Sequence, residues 1–197
     1  MEAAIGEAEG PSGREAAGRR ARIERALCEL EALNPAARPA ESPALEGCWE
    51  VAYSNAPPPS DGTLGPFRGA AFQDIRLADG TYVNRLAVPP GAWLGARLRA
   101  GWEALDDRRW LVTFSDVTVS LFGGRLDVFT KRFSSGTTRV WEHTYVDDAF
   151  RVVRAARTAA ALDRGAARGR RAAAGDEDDC VFALRRVEPT AEGAGGG

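Results

Sequence analysis

The chain has 197 residues, a formal net charge of −2, 44% hydrophobic residues and 27% charged residues. This length suits one domain, and the composition is ordinary for a folded globular protein. No stretch reaches the about 18 consecutive apolar residues that a membrane-spanning helix needs. The near-zero charge argues against nucleic acid as a partner, because general nucleic-acid binding depends on excess positive charge.

Cysteine and histidine are too few and too widely spaced for a metal or redox site. The three cysteines, Cys28, Cys48 and Cys180, lack metal-ligand spacing, and we interpret them as thiols in a reducing compartment. His143 is the single histidine, which argues against a multi-histidine metal site. We therefore expect no metal and no cofactor.

The N-terminal part of the chain predicts a disordered segment followed by one helix. Residues 1–13 are small, polar and aperiodic, as is typical of disorder. Residues 14–33 place apolar side chains such as Ile23 and Leu27 at helical spacing, and the helix should end before Pro35. We expect this amphipathic helix to pack against one end of the core, because its polar face carries both charge signs.

From residue 46 to residue 188 the hydrophobic period is two, which indicates β-strands. The pattern is clear in residues 95–105 and 108–114, and glycine- and proline-rich turns separate about nine short strands. A meander this long buries its apolar face best by closing on itself. The predicted fold class is therefore mainly β, a single antiparallel β-barrel with an N-terminal α-helix. The interior of such a barrel is filled by side chains or holds one small ligand.

Residues 159–179 interrupt the strand pattern. They contain no aromatic or β-branched residue, and a basic block is followed directly by an acidic one. We predict a solvated loop inserted between the last two strands. Residues 189–197 predict a disordered tail, so the folded domain should span residues 14–188.

Several segments share the pattern of a known family. They are LNPAARPAESPALEGCWEVAYS (33–54), FQDI (72–75), Asn84, TYVDDAFRVVRA (144–155) and CVFAL (180–184). In this order they resemble the opening, central and closing motifs of the plastid lipid-associated proteins, also called fibrillins or plastoglobulins. The resemblance covers residues 33–188.

The resemblance implies a lipocalin-like barrel in the chloroplast, on thylakoids or plastoglobules. It also implies binding or organisation of a lipophilic molecule such as a quinone, carotenoid, tocopherol or fatty acid. Ala149 departs from the family pattern, since a third acid usually stands there, and the link between the closing strands is unusually long. The first ten residues contain acids and give no clear transit peptide, since transit peptides are rich in serine and poor in acids.

Candidate ligand-binding aromatics follow from the barrel prediction. A binding site in a barrel is mostly apolar with a few placed polar groups. The aromatic candidates for the interior wall are Trp49, Tyr53, Trp102, Phe114, Trp141 and Tyr145. The alternative is that these rings simply fill the core.

The polar candidates are Gln73, Asn84, Asp147 and Arg151. Gln73 and Asn84 are amides within strands, and a buried amide needs a partner, which the backbone or a ligand could supply. Arg151 and Arg154 follow an acidic pair that contains Asp147. They predict either a structural salt bridge near a barrel rim or an anchor for a carboxylate or phosphate head group.

The favoured function is non-enzymatic binding of a hydrophobic plastid metabolite at thylakoid or plastoglobule surfaces. The expected partners are a lipophilic small molecule and a peripheral lipid or membrane surface. The alternative is a structural coat or assembly protein with a packed barrel and no ligand, in which Trp93 at a loop tip would contact lipid. A hydrolase is disfavoured because no nucleophile elbow is present, and because His143 and Asp147 would lie too far apart in a regular strand.

Overall fold

The computed structural model describes residues 13–169 and 179–188. Helix α1 spans Gly13–Glu31, helix α2 spans Ala159–Ala167, and two 3-10 turns span Pro39–Glu41 and Pro43–Leu45. The strands are β1 (Gly47–Ser54), β2 (Thr63–Leu64), β3 (Phe67–Arg68), β4 (Ala70–Arg76), β5 (Thr81–Val88), β6 (Leu94–Ala104), β7 (Arg109–Leu121), β8 (Leu126–Arg132), β9 (Thr138–Val146), β10 (Phe150–Ala156) and β11 (Cys180–Val187). The predicted disordered ends lie outside the described residues, apart from Gly13.

Eight of the described strands close into one antiparallel barrel. Their order is β6-β5-β4-β1-β11-β10-β9-β7, and β7 pairs back with β6. Closure leaves these strands without open edges, which is the physical advantage expected of a long meander. The predicted mainly-β fold, a single antiparallel barrel with an N-terminal helix, is confirmed.

Along one edge, strand β7 pairs with two different strands in succession. Its residues 109–113 pair with β9, and its residues 116–121 pair with β8. The alternating pattern predicts a strand that ends at residue 114, but a β-bulge at Ser115 lets β7 bend against β6 and continue to Leu121. Strand β8 therefore lies outside the closed ring. We call residues 116–132 the β7–β8 ribbon.

The segment between α1 and β1 covers the end of the barrel at which β1 begins. Ala40 and Leu45 from the two 3-10 turns are buried in the main core. The indole N–H of Trp110 donates to the Ala40 carbonyl (2.9 Å), and that of Trp49 donates to the Leu45 carbonyl (3.0 Å). These contacts fix the segment on the barrel. We call the end of the barrel at which β1 begins the capped end.

Helix α1 lies along the outer wall of the barrel, not against one end as predicted. Leu27 packs on a cluster that includes Val152 and Ala183. The reason is that β10 is buried on both faces: Val152 faces the helix, while Val153 belongs to the interior core. The helix ends at Glu31, two residues before the predicted end. No helix in the described part of the chain is long and apolar enough to cross a membrane.

Helix α2 occupies residues that were predicted as a solvated loop. Thr158 caps it, since the Thr158 hydroxyl accepts the Ala161 N–H at 3.2 Å. Ala161 and Leu162 are buried against Val140 and Ala156. The loop prediction is wrong for residues 159–167 because alanine, the strongest helix former, needs no aromatic or branched neighbour to form a short helix. Residues 170–178 of that predicted loop lie outside the described residues.

Candidate ligand-binding site

Most of the predicted wall aromatics face the barrel interior. Those that belong to the main core or pack against it are Trp49, Trp102, Phe114 and Trp141. Trp102 stacks on Trp110 with ring centres 3.9 Å apart and planes within 9° of parallel. Stacked rings of this kind form a rigid apolar wall.

Tyr53 and Tyr145 instead lie on the outer face of the barrel, in the cluster beneath α1. The pairing of β1 with β11 shifts after Val51, and the pairing of β9 with β10 shifts next to Val152. Each shift is a β-bulge, which inserts one residue and turns the following side chains to the other face. Tyr53 donates a hydrogen bond to Glu24 of α1 (3.3 Å). The interior-wall placement is therefore wrong for both tyrosines.

Arg151 is fully buried inside the barrel and contacts two predicted site residues. Its Nη2 donates a hydrogen bond to Gln73 Oε1, and its guanidinium lies 5.1 Å from the centre of a Trp49 ring. Its Nε and Nη1 have no hydrogen-bond partner among the described residues. Burial and the nearby Arg186 charge lower the pKa of Arg151 to about 9, so the guanidinium still carries its charge at neutral pH.

Neutral polar groups surround this guanidinium. Asn84 is paired with Gln73 across β4 and β5, and Tyr82 stands on the same face of β5. Burial raises the pKa of Tyr82, whereas burial and the Arg151 charge lower the pKa of His143 well below its usual value. Both groups are therefore neutral at physiological pH.

Several buried polar atoms of this interior have no hydrogen-bond partner among the described residues. They are Tyr82 Oη, Asn84 Oδ1, Trp102 Nε1, both ring nitrogens of His143, and Nε and Nη1 of Arg151. Buried polar groups in proteins almost always have partners. The arrangement is therefore chemically able to hold the polar part of a bound molecule against an aromatic wall.

Tyr82 and Arg186 were not predicted as site residues, and His143 was considered only as the catalytic base of a hydrolase. Tyr82 could have been found, because it precedes Asn84 by two residues and a strand places such pairs on one face. Arg186 lies over a Trp49 ring at 4.3 Å. No local signal distinguishes it from Arg185, the other arginine of the closing strand.

Asp147 lies outside the interior, in the turn between β9 and β10. Its Oδ1 accepts the N–H groups of Ala149 (2.8 Å) and Phe150 (2.6 Å), and its Oδ2 accepts the hydroxyl of Tyr145 (2.6 Å). Partial burial raises the pKa of Asp147, but these hydrogen bonds outweigh that effect and the net pKa is lowered. Asp147 therefore shapes the turn and does not form the predicted unit with Arg151.

The residues of the disfavoured hydrolase do not come together. The ring nitrogens of His143 are without partners in the described part of the chain. Asp147 is engaged in its turn, and the Ser134 hydroxyl lies 3.3 Å from that of Thr137. Among the described residues, no group of three or more His, Cys, Asp or Glu side chains is placed to hold a metal ion.

A second surface stands out on the β7–β8 ribbon and the turn within it. Its exposed large apolar side chains are Phe122, Leu126, Val128 and Phe129, each more than half exposed. The exposed cations Arg125, Lys131 and Arg132 lie in the same segment. Within the described residues, β8 pairs only with β7. A cluster of exposed apolar side chains bordered by charged ones is typical of an interaction surface.

Trp93, the predicted lipid-contacting residue, is only partly exposed. Its ring packs edge-on against Phe67 at 5.1 Å, and its indole N–H donates to the Pro89 carbonyl at 3.2 Å. Its backbone carbonyl accepts the Phe122 N–H (2.9 Å), so the two loops are joined. Phe122 is thus more exposed than Trp93.

The sequence was compared with known proteins. The model of the PAP_fibrillin family matches residues 1–161, a span that includes α1, strands β1 to β10 and the start of α2. The comparison with curated proteins gave no match. The family match agrees with the resemblance found in the sequence motifs, and together with the barrel it fits a plastid lipid-associated protein. The chain therefore belongs to the PAP_fibrillin family.

Proposed function

We propose that the protein binds a hydrophobic plastid metabolite inside its barrel, without catalysis, at thylakoid or plastoglobule surfaces of the chloroplast. The ligand class is a quinone, carotenoid, tocopherol or fatty acid. The observation that carries this proposal is the set of unpartnered buried polar atoms beside the aromatic wall, centred on Arg151. A barrel built only as a packed core would not need polar groups there, because each one costs free energy to bury.

The physical basis of binding is burial of the apolar ligand. Removal of apolar surface from water contributes about 25 cal/mol per Å², less the entropic cost of association. Trp102 and Trp110 supply the apolar contact surface, whereas Gln73 and Arg151 orient the polar end of the ligand. A few placed polar groups in a mostly apolar site are typical of small-molecule sites.

The second candidate function is a structural coat or assembly protein that holds a lipid surface. The exposed apolar side chains of the β7–β8 ribbon support it, because they would insert between lipid head groups while the neighbouring cations contact anionic ones. This role does not need an internal ligand. The two roles therefore predict different results in one experiment.

The experiment is native mass spectrometry with organic extraction, on protein produced in a host that makes plastid lipids. Under the binding proposal, the protein carries one lipophilic molecule, and Trp102→Arg removes it by placing a charge in the interior wall. Trp93→Arg is the matched control, since Trp93 lies outside the interior and its variant should keep the ligand. Thermal unfolding of each variant establishes that it is folded.

The same preparations are then tested for flotation with lipid vesicles. A wild-type protein that is empty but floats would favour the coat protein over the binder. A protein that neither carries a ligand nor floats would contradict both functions.

A further inference from the structure

Arg151 is a buried charge without a compensating charge among the described residues. Its side chain is fully buried, and two of its three nitrogens have no hydrogen-bond partner there. Burying a charge is expensive unless it is paired. Arg154, another buried arginine on the same strand, is paired with Glu31. Arg151 differs from it in that no counterion lies among the described residues.

The surroundings of Arg151 make the interior electropositive. Arg186 adds a second positive charge, and His143 is neutral. Acids adjacent in sequence to site residues are engaged elsewhere: Asp74 pairs with Arg85, Glu50 with Arg185 and Glu142 with Arg108. Asp147 is held in its turn. Among the described residues no carboxylate pairs with Arg151, and a buried, unpaired cation in a low-dielectric interior attracts an anion strongly.

We propose that the interior site selects the carboxylate of a long-chain apolar acid and that Arg151 is the residue that binds it. This inference rests on the proposed function, and it narrows the ligand to an anionic class. Nε and Nη1 of Arg151 remain as donors for the carboxylate oxygens, and the buried hydroxyl of Tyr82 is a further donor. A single carboxylate carries the one negative charge that neutralises one guanidinium. A neutral quinone or carotenoid would accept a hydrogen bond but would leave the charge uncompensated.

The test compares two probes that differ only in the head group, oleate and oleyl alcohol. Both are titrated below their aggregation limits while tryptophan fluorescence is followed, because Trp49, Trp102 and Trp110 lie at the site. We expect the wild-type protein to bind oleate about tenfold or more tightly than oleyl alcohol, as charge-assisted hydrogen bonds favour the anion.

The variant Arg151→Met should abolish this preference, because oleate then loses the charge-assisted contacts that favour it over oleyl alcohol. Replacement of an unpaired buried cation by an apolar side chain of similar length should not unfold the barrel. Arg185→Met is the matched control, since Arg185 is exposed on β11 and pairs with Glu50. This control should keep the wild-type preference.

The outcomes separate the inference from the proposed function. Equal affinity of the wild-type protein for the acid and the alcohol would overturn the carboxylate inference and leave apolar binding in the barrel intact. Binding of neither probe would overturn both. The wild-type comparison decides between these outcomes even if Arg151→Met does not fold. A preference for oleate that persists in a folded Arg151→Met variant would show that another residue binds the carboxylate.

Discussion

Arg154 on β10 and Glu31 at the end of α1 form a buried, bidentate ion pair. Nε lies 2.8 Å from Oε1 and Nη2 lies 3.0 Å from Oε2, and the two side chains are only 1% and 10% exposed. Thr144 also donates its hydroxyl to Glu31 at 2.6 Å. The pair joins the helix to the outer wall of the barrel, whereas Arg151, three residues earlier on β10, faces inward.

Glu31→Ala should therefore destabilise the protein strongly. Removal of Glu31 leaves the buried Arg154 with only its longer ion pair to Asp179 (3.9 Å), and the free energy of unfolding should fall by about 3 kcal/mol. The measurement is urea denaturation followed by circular dichroism. Glu29→Ala is the control, because Glu29 lies on the same helix but is exposed, and it should change stability little. Equal losses in the two variants would contradict a structural role for the ion pair.

The barrel could be predicted from the sequence because the period of two persists through most strands. The inward or outward direction of individual residues could not always be predicted. Trp49 and Tyr53 keep the alternating spacing in sequence, yet the bulge between Val51 and Tyr53 places them on opposite faces. A bulge depends on the partner strand, so a single strand's pattern does not reveal it.

The polar part of the site was even harder to predict from the sequence, because it depends on pairing between strands that are far apart in the chain. Gln73 and Arg151 are 78 positions apart in sequence and meet through their hydrogen bond. The register that brings them together is set successively by the pairing of β4 with β1, β1 with β11 and β11 with β10. Asp147 is much nearer to Arg151 in sequence, but the turn that follows β9 takes it away from the interior.

Acidification should destabilise the fold through His143. Burial and the Arg151 charge lower its pKa in the folded protein, so the unfolded chain binds the proton first as the pH falls. The free energy of unfolding should therefore decrease below about pH 6.5, by at most about 1.4 kcal/mol per pH unit. Denaturant titrations between about pH 5 and 7.5 measure this slope.

His143→Phe keeps an aromatic ring against Trp110 and removes the titrating group. Since His143 is the only histidine of the chain, the variant should show a flatter stability profile in this range. An unchanged slope in the variant would assign the acid sensitivity to other groups.

The three cysteines should differ sharply in reactivity. Cys48 and Cys180 are buried, whereas Cys28 is partly exposed. Burial, together with a hydrogen bond involving Asp74, raises the pKa of Cys48 to about 11, and only the thiolate reacts. Iodoacetamide at about pH 8 should therefore label Cys28 first. Peptide mass spectrometry measures the order in which the cysteines are labelled. Rapid labelling of Cys48 in a folded Cys28→Ser variant would contradict the predicted order.

The β7–β8 ribbon should provide the contact with lipid surfaces. Leu126 and Phe129 are 51% and 56% exposed, and their replacement by serine removes apolar area that would otherwise enter the lipid interface. Since each fully buried apolar side chain contributes about 1.5–3 kcal/mol, the double variant should bind vesicles at least about tenfold more weakly in a flotation assay.

The control is Leu105→Ser combined with Leu33→Ser. Leu105 is 48% exposed in the turn between β6 and β7 at the capped end, away from the ribbon, and Leu33 is 75% exposed beyond the end of α1. If exposed apolar area alone drives lipid association, this control should lose binding as much as the ribbon variant does. If the ribbon is the contact surface, the control should float like the wild-type protein, because its substitutions lie where the barrel does not meet the lipid.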